Sequence, residues 1–199
     1  MRIAFRPAFD VFRMMLLQVF ACIVIEAAEA GNAADVDRLL GQGAPVYWDT
    51  TDDSPLNSAA LWHRNAVIER LLRSPEFPFL ASDIEESTVH AADANNSDVS
   101  TLRLLVERFG AGLSPEARGR VLRTASESHQ MDQSNRLLPA GPAIRFLVEE
   151  AGFDINLPVT DDGYTVFDLA DRSSGNFRDF ALIQFLEAHG AQPGRRLTK

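Results

Sequence analysis

The stretch from Asp49 to Leu72 constrains the fold of this chain more than any other part of it. It reads as a β-turn, a short helix, a tight turn and a second helix. Ser54 is a good N-cap, because its hydroxyl can accept a hydrogen bond from a free amide of the first helical turn. Pro55 then falls at the first helical position, where its missing N–H removes no hydrogen bond. The stretch therefore predicts a helix-turn-helix unit with a well-defined start.

Apolar residues recur at helical spacing in both predicted helices. In the first helix they are Leu56, Ala59 and Ala60, and the two alanines allow a neighbouring helix to approach closely. In the second helix, residues 67–72 carry Val, Ile and two Leu on one face. Neither helix can bury its apolar face alone, so the unit needs stacked neighbours.

The same unit recurs along the chain. The leading apolar residues of the predicted first helices follow one another at steps of 32, 33, 33 and 45 residues. These residues are Val24, Leu56, Val89, Leu122 and Phe167. A glycine just past the end of a helix suits the left-handed C′ position, and four predicted second helices end in this way. The four glycines are Gly43, Gly110, Gly152 and Gly190.

Residues 54–60, read together with residues 67–72, resemble the ankyrin signature Thr-Pro-Leu-His-x-Ala-Ala followed by Val-Val-x-x-Leu-Leu. Asp52 stands where that family prefers glycine, and His63 stands where it prefers the glycine between the two helices. The resemblance implies an all-α fold, an ankyrin-type α-solenoid of stacked helix-turn-helix repeats joined by β-hairpin-like loops. Another kind of α-solenoid or an irregular helical domain is the alternative.

We divide the sequence into three segments: a hydrophobic capping segment at 1–20, a repeat domain at 21–192 and a basic disordered tail at 193–199. The fourth repeat is the weakest match and contains an insertion of about twelve residues, from His129 to Gly141. The pair Leu137-Leu138 in this insertion either folds back on the stack or belongs to a partner site. The last helix, Phe180 to Ala188, is apolar on several sides, so we expect the tail, a second copy or more chain to cover it. The repeats span about 21–48, 49–79, 80–113, 114–156 and 157–192.

The first 25 residues allow a second interpretation. Three arginines precede an apolar run at 14–25, and residues 28–30 have the small-residue pattern of a cleavage site, as in a secretory signal. However, Glu26 is poorly placed for such a signal, and cleavage after Ala30 would delete the first helix of the first repeat. We therefore expect a cytoplasmic protein that begins with a hydrophobic helix. A secreted or membrane-tethered protein with residues 1–25 as its targeting segment is the alternative.

The net charge of the chain indicates which class of partner it can bind. The net charge is −9, and residues 49–100 contain ten Asp or Glu against three Arg. Nucleic-acid binders carry basic patches that neutralise phosphates, so this balance argues against a nucleic-acid partner. It favours a partner that is basic or neutral. The single cysteine, Cys22, excludes an intrachain disulfide and is typical of a reducing compartment.

We find no catalytic or metal-binding motif in the sequence. The four histidines are scattered, without His-x-x-x-His or Cys-x-x-Cys spacing, and no phosphate-binding loop is present. The acid pairs Asp52-Asp53 and Asp161-Asp162 fall in predicted hairpin tips, where carboxylates are solvated and favour turns. We therefore expect no catalysis, no metal and no cofactor. An enzyme with a site around the repeat-four insertion is the alternative.

The resemblance implies that a partner protein meets the hairpin tips and the short inner helices, which form a concave groove. Both tryptophans fall at such positions, and Trp is enriched in binding hot spots. The alternative is that Trp48 or Trp62 packs against a neighbouring repeat. We expect a monomer that binds a basic segment beside an apolar anchor, or a fragment of a larger ankyrin protein. The predicted contact residues are Trp48, Thr50, Thr51, Asp53, Leu61, Trp62, Asp83, Ile84, Glu86, Ala94, Asn95, Asp161, Asp162, Tyr164 and Arg172.

Overall fold

The structure, a computed structural model, describes residues 19–44, 54–73, 79–93, 98–127, 141–172 and 180–194. The predicted insertion around Leu137-Leu138, most of the N-terminal segment 1–20 and the tail residues 195–199 lie outside these ranges. Within them the fold is all-α, as predicted, and none of the described residues forms a strand. The helices are α1 (19–29), α2 (Ala33–Gly41), α3 (Pro55–Leu61), α4 (Asn65–Arg73), α5 (Ala81–Ala92), α6 (Ser100–Phe109), α7 (Pro115–Glu127), α8 (Pro142–Arg145), α9 (Val166–Arg172) and α10 (Phe180–Ala188).

The chain forms two compact units, Met1–Asp83 and Ile84–Lys199. The first unit contains two helix pairs, α1 with α2 and α3 with α4. Helix α4 packs against both α3 and α2, which places its apolar face in the core. The predicted face of α4 is confirmed, because Val67, Ile68, Leu71 and Leu72 are all buried.

The predicted start of α3 is also confirmed. The Ser54 hydroxyl accepts a hydrogen bond from the Asn57 amide at 3.1 Å, and Pro55 is the first helical residue. A similar start recurs in the second unit, where the Ser114 hydroxyl accepts from the Ala117 amide at 3.1 Å and Pro115 opens α7. Both caps satisfy an amide that the helix itself leaves free.

The two helix pairs of the first unit are joined by the same kind of turn. After α1, Gly31 and Asn32 donate backbone hydrogen bonds to the carbonyls of Ala28 and Ala27, at 3.0 and 2.9 Å. After α3, His63 and Arg64 donate to the carbonyls of Ala60 and Ala59, at 3.1 and 2.7 Å. This pattern is the Schellman motif, which requires a positive φ. Gly31 has φ +76°, and His63 adopts φ +53° although it carries a side chain.

The glycines predicted at helix ends have two different conformations. Gly43, Gly152 and Gly190 have φ of 81°, 67° and 80°, so the left-handed prediction is confirmed for these three. For Gly110 it is wrong, because φ is −55° and the chain continues into a 3₁₀ turn at Gly110–Gly112. The helical hydrogen bonds continue through this residue instead, since the Gly110 amide donates to the Val106 carbonyl and the Gly110 carbonyl accepts from the Leu113 amide at 3.4 Å.

The second unit is built from the rest of α5 and from α6 to α10. Helix α8 continues directly into a π-helical segment, Phe146–Glu150, and α7 packs against α8 and α9. Large side chains with almost no exposed surface come from α6, α7, α8, the π-helical segment and α10. They include Leu102, Leu105, Leu122, Ile144, Leu147 and Leu186.

The last helices are fixed by a capping box that also holds the following segment. Asp168 Oδ2 accepts from the Thr165 amide at 2.8 Å, while the Thr165 hydroxyl accepts from the Asp168 amide at 3.4 Å. The same oxygen of Asp168 accepts from the Gly194 amide at 2.8 Å. Residues 191–194 are therefore bound to the start of α9.

Polar contacts within each unit connect helices that are far apart in the sequence, at separations of 33, 34 and 47 residues. In the first unit, Arg70 on α4 forms an ion pair with Asp37 on α2, a separation of 33 residues. In the second, Arg120 donates to Glu86 at 2.7 Å across 34 residues. Arg103 donates to both carboxylate oxygens of Glu150, at 2.6 and 3.0 Å, across 47 residues.

Replacing His63 with glycine should stabilise the protein. A non-glycine residue in the left-handed region costs about 1 kcal/mol, and glycine removes this cost while adding some entropy to the unfolded chain. The change also removes His63 Nδ1, which is buried and has no hydrogen-bond partner among the described residues. We expect a net gain of about 0.5 kcal/mol in the free energy of unfolding, measured by urea denaturation.

The matched control is Gly31→Ala in the equivalent turn, where a Cβ would meet Arg64 Cδ at 3.0 Å and the φ is +76°. It should lower the free energy of unfolding by about 1 kcal/mol or more. Equal effects of the two changes would contradict the assignment of His63 to a strained glycine position.

The Arg103–Glu150 ion pair should make stability depend on pH in the acid range. The hydrogen bond from Arg103 holds the pKa of Glu150 below its ordinary value of 4.5. A lowered folded-state pKa contributes stability above the unfolded-state pKa, and this contribution disappears as the pH falls through the folded-state pKa. Urea midpoints measured from pH 6 to pH 3 should therefore fall more for the wild type than for Glu150→Gln. Glu187→Gln, an exposed change on α10, should follow the wild type, and parallel curves for all three proteins would refute the prediction.

Candidate partner-binding surfaces

Several of the predicted contact residues fall in parts of the chain that the structure leaves undescribed. Arg172 is the last residue of α9, and its side chain is likewise outside the description. The remaining eight residues lie at the end of α3, along α5 and in the loop before α9. The undescribed ones are Trp48, Thr50, Thr51, Asp53, Ala94 and Asn95.

The C-terminal end of α3 presents two large apolar side chains to solvent. Leu61 is 46% exposed and Trp62 is 53% exposed, whereas every earlier residue of α3 is buried. The Trp62 amide donates to the Ser58 carbonyl at 3.1 Å, so the tryptophan backbone is fixed by the last turn of the helix. The buried part of α3 therefore ends in two exposed apolar side chains on a hydrogen-bonded backbone, and we name Leu61 and Trp62 the α3 tip.

The predicted residues of α5 are half-buried. Asp83 lies in the first turn of the helix and belongs to the first unit, while Ile84 and Glu86 belong to the second. Glu86 accepts a hydrogen bond from Arg120 at 2.7 Å, and its other oxygen lies 3.9 Å from His90 Nε2. Glu86 is thus an anchor between α5 and α7 as well as a surface charge.

A tight turn presents Asp161 and Asp162 at its tip, before α9. The Val159 amide donates to the Tyr164 carbonyl at 2.7 Å, and the Gly163 amide donates to the Thr160 carbonyl at 3.0 Å. Both aspartates are exposed, which confirms the prediction that this acid pair lies in a solvated turn. The corresponding prediction for residues 52–53 lies outside the described chain. Tyr164 itself is half-buried.

A cleft of about 490 Å³ separates the start of α7 from residues 157–161. Its apolar lining includes Pro115, Leu157 and Val159, and its charged lining is Glu116, Arg120 and Asp161. We name it the α7 cleft. The predicted residue Asp161 and Arg120, the partner of the predicted residue Glu86, line the same cleft.

One wall of the α7 cleft depends on a glycine inside a helix. A Cβ at Gly119 would lie 2.5 Å from the Pro158 carbonyl oxygen, which is closer than atoms can approach. The absence of a side chain therefore lets the backbone of Pro158 and Val159 approach α7 closely at Gly119.

A second cleft of about 440 Å³ lies among α6, the π-helical segment and Phe153. Arg103 lies over the Phe146 ring at 4.4 Å and Arg118 over the Phe153 ring at 5.6 Å. Arg103 also pairs with Glu150, and this hydrogen bond raises the pKa of the guanidinium above its ordinary value. The charges in this cleft are largely engaged in holding α6 to the π-helical segment.

The described residues contain no group of three His, Cys, Asp or Glu side chains placed to hold a metal ion. Helices long and apolar enough to cross a membrane are also absent from the part of the chain that the structure describes. No family model matches this sequence, and no curated protein matches it.

Sequence reasoning did not identify Arg120, Glu116 or the apolar lining of the α7 cleft. Arg120 and Glu116 lie in the predicted fourth repeat, which has the weakest signature, and the contact between α7 and residues 157–161 crosses the predicted boundary to the fifth repeat. Two features of the sequence indicate this close approach, namely Gly119 inside a predicted helix and the turn residues that follow Pro158.

Replacing Gly119 with alanine should destabilise the second unit. At an ordinary helix position this change would stabilise by up to about 1 kcal/mol, because alanine is the better helix former. Here the new Cβ collides with the Pro158 carbonyl, and overpacking of this kind costs about 1–3 kcal/mol. We expect a lower urea midpoint. Gly41→Ala, where a Cβ meets nothing within 4 Å, serves as the control and should not lower it. A Gly119→Ala protein as stable as that control would disprove the close approach.

Proposed function

We propose that this protein is a non-catalytic ankyrin-repeat scaffold that binds another protein through its exposed hairpin tips and short helices. The observation that carries the proposal is the sequence separation of the contacts between helix pairs. Stacked ankyrin units are about 33 residues long, so a residue meets its counterpart in the next unit about 33 positions away. The pairs Arg70–Asp37 and Arg120–Glu86, at 33 and 34, have this separation.

Two further contacts follow the same rule. Arg64 Nε donates to the Glu29 carbonyl at 2.7 Å across 35 residues, which links the second helix pair to the end of α1. The Asn156 side chain contacts the Gly190 carbonyl across 34 residues. Such regular separations are expected when each structural unit contacts only its neighbours.

The separation of 47 between Arg103 and Glu150 supports the proposed register through the fourth repeat. The predicted insertion of about twelve residues lies between them, and removing it returns the separation to about 35. The insertion thus leaves the contact between neighbouring second helices in place. An irregular helical bundle gives no reason for this agreement.

The recurring turn supports the same assignment. Gly31 and His63 occupy equivalent positions, 32 residues apart in the sequence, and both adopt a positive φ between two helices of one unit. The ankyrin family prefers glycine at this position, and His63 adopts the positive φ that a glycine there would have. The turn at 157–164, closed by the Val159–Tyr164 backbone hydrogen bond, has the form of a hairpin tip before the next repeat.

The α3 tip is the part of the described surface best suited to a protein partner. Trp and Leu side chains fixed at the end of a buried helix bury a large area with little loss of side-chain entropy on binding. The net charge of −9 disfavours nucleic acid and favours a partner with basic character. We place the protein in the cytoplasm, since a single exposed cysteine, Cys22, suits a reducing compartment.

Photo-crosslinking tests the proposed face in the full-length chain. We would replace Trp62 with a benzoyl-phenylalanine crosslinker in native cells, and in a parallel protein replace Phe180, which is 65% exposed on α10. The proposal predicts a discrete crosslinked protein that depends on the crosslinker at position 62. The same products from both positions, or none from position 62, would argue against a binding site at the α3 tip.

Affinity then measures the contribution of the α3 tip. Truncation of a hot-spot aromatic costs about 2 kcal/mol, so Leu61→Ala/Trp62→Ala should weaken binding of the crosslinked partner about thirtyfold or more. Phe180→Ala should bind as the wild type does. Because all three side chains are exposed, the urea midpoints should change little. An unchanged Kd for the double variant would reject the α3 tip as the contact.

A further inference from the structure

We propose that the α7 cleft binds a peptide segment of the partner in which a lysine or arginine adjoins an apolar side chain. The inference rests on the proposed function, because it specifies the partner chemistry at a part of the surface separate from the α3 tip. It is carried by the shape, the lining and the uncompensated charge of this cleft.

The apolar lining sets the first requirement on the occupant. Val159 is buried and Leu157 is half-buried, while Pro115 closes the side nearest the start of α7. A volume of about 490 Å³ is within the usual range of ligand pockets and holds a large apolar side chain with its neighbours. Apolar surface that the fold leaves open here can be removed from water only by an apolar group of a partner.

The charges at the opening set the second requirement. Glu116 and Asp161 line the cleft, both are exposed, and neither forms an ion pair with any residue that the structure describes. Asp162 adds a third exposed carboxylate beside them. Arg120, the one basic residue among those lining the described cleft, is already ion-paired with Glu86 at 2.7 Å. The opening is therefore negative, and a cation gains charge-assisted hydrogen bonds there that an anion cannot make.

The walls are held in place before any partner arrives. Pro158 lies against Gly119, and the Val159–Tyr164 and Gly163–Thr160 hydrogen bonds close the turn that carries Asp161. A preformed site loses less conformational entropy on binding than a flexible loop does. An extended segment with a basic residue next to an apolar one satisfies both the lining and the rim in a single short contact.

Other occupants match only part of this chemistry. A free polyamine supplies the positive charge but leaves the apolar lining in contact with water. A second copy of this chain brings a net charge of −9 toward a negative opening. The basic and apolar peptide segment is the occupant that fits both features, and the others become outcomes of the experiment.

The experiment is an NMR titration of the ¹⁵N-labelled full-length chain with three probe peptides. The first is acetyl-Ala-Arg-Leu-Arg-Ala-amide, and in the other two glutamine or glutamate replaces both arginines. We expect the arginine peptide to shift amide signals in residues 116–120 and 157–163, with weaker effects of the glutamine peptide and none of the glutamate peptide. Since exposed ion pairs are individually weak, Glu116→Gln and Asp161→Asn should each raise the Kd about threefold and together about tenfold. Glu187→Gln on α10 should leave it unchanged.

Four results would overturn the inference: equal binding of the arginine and glutamate peptides, no shifts in these two segments, equally strong binding of spermidine, or shifts that depend on protein concentration without peptide. The spectra of the variants report folding directly, because misfolding would move signals far from the cleft.

Leu61→Ala/Trp62→Ala should bind the arginine peptide as the wild type does. Peptide binding without crosslinking at position 62 would remove the proposed contact at the α3 tip alone. Crosslinking without peptide binding would remove only the proposal for the α7 cleft.

Discussion

The structure of the first unit depends on the contact between its two helix pairs. Helix α4 buries Val67, Ile68 and Leu71 because α2 and α3 lie against it. No helix of this length is stable alone in water, so its stability comes from the packing of its apolar face. The ion pair between Arg70 and Asp37 helps to fix the register of α4 against α2, since a shift of one helical turn would separate the two charges.

Local chemistry near a helix end could be read from the sequence, because it involves residues a few positions apart. The Ser54 cap, the first-turn Pro55 and the left-handed Gly43 were predicted in this way and are present. Gly110 was not predictable by the same logic. The chain continues from Gly110 into a 3₁₀ turn, and the Gly110 amide keeps its helical hydrogen bond to the Val106 carbonyl. The conformation of an end glycine therefore depends on the path of the chain that follows it.

The candidate surfaces divide along the same line. Trp62 and the turn carrying Asp161 and Asp162 were predicted to be exposed from their positions within one predicted repeat. A single repeat of sequence was enough for these predictions. The α7 cleft lies inside the second unit, where Gly119 admits Pro158 from a distant part of the sequence, and it depends on a backbone approach that no local pattern encodes. Pairing of Arg120 with Glu86 likewise needs the register of two helices. Local rules predict where side chains point, whereas the cleft requires knowledge of which neighbour they meet.

The contacts between helices also affect how charge is distributed over the surface of the protein. The chain has 19 Lys and Arg against 28 Asp and Glu, and three of its arginines join helices that are far apart in the sequence. Arg70, Arg103 and Arg120 each bind a carboxylate on a neighbouring pair. Asp161 and Asp162, at the tip of the turn before α9, are exposed and form no ion pair with any residue that the structure describes. The helix contacts thus use basic side chains and leave this turn negative, and a partner that supplies positive charge would complete pairs that the fold leaves open.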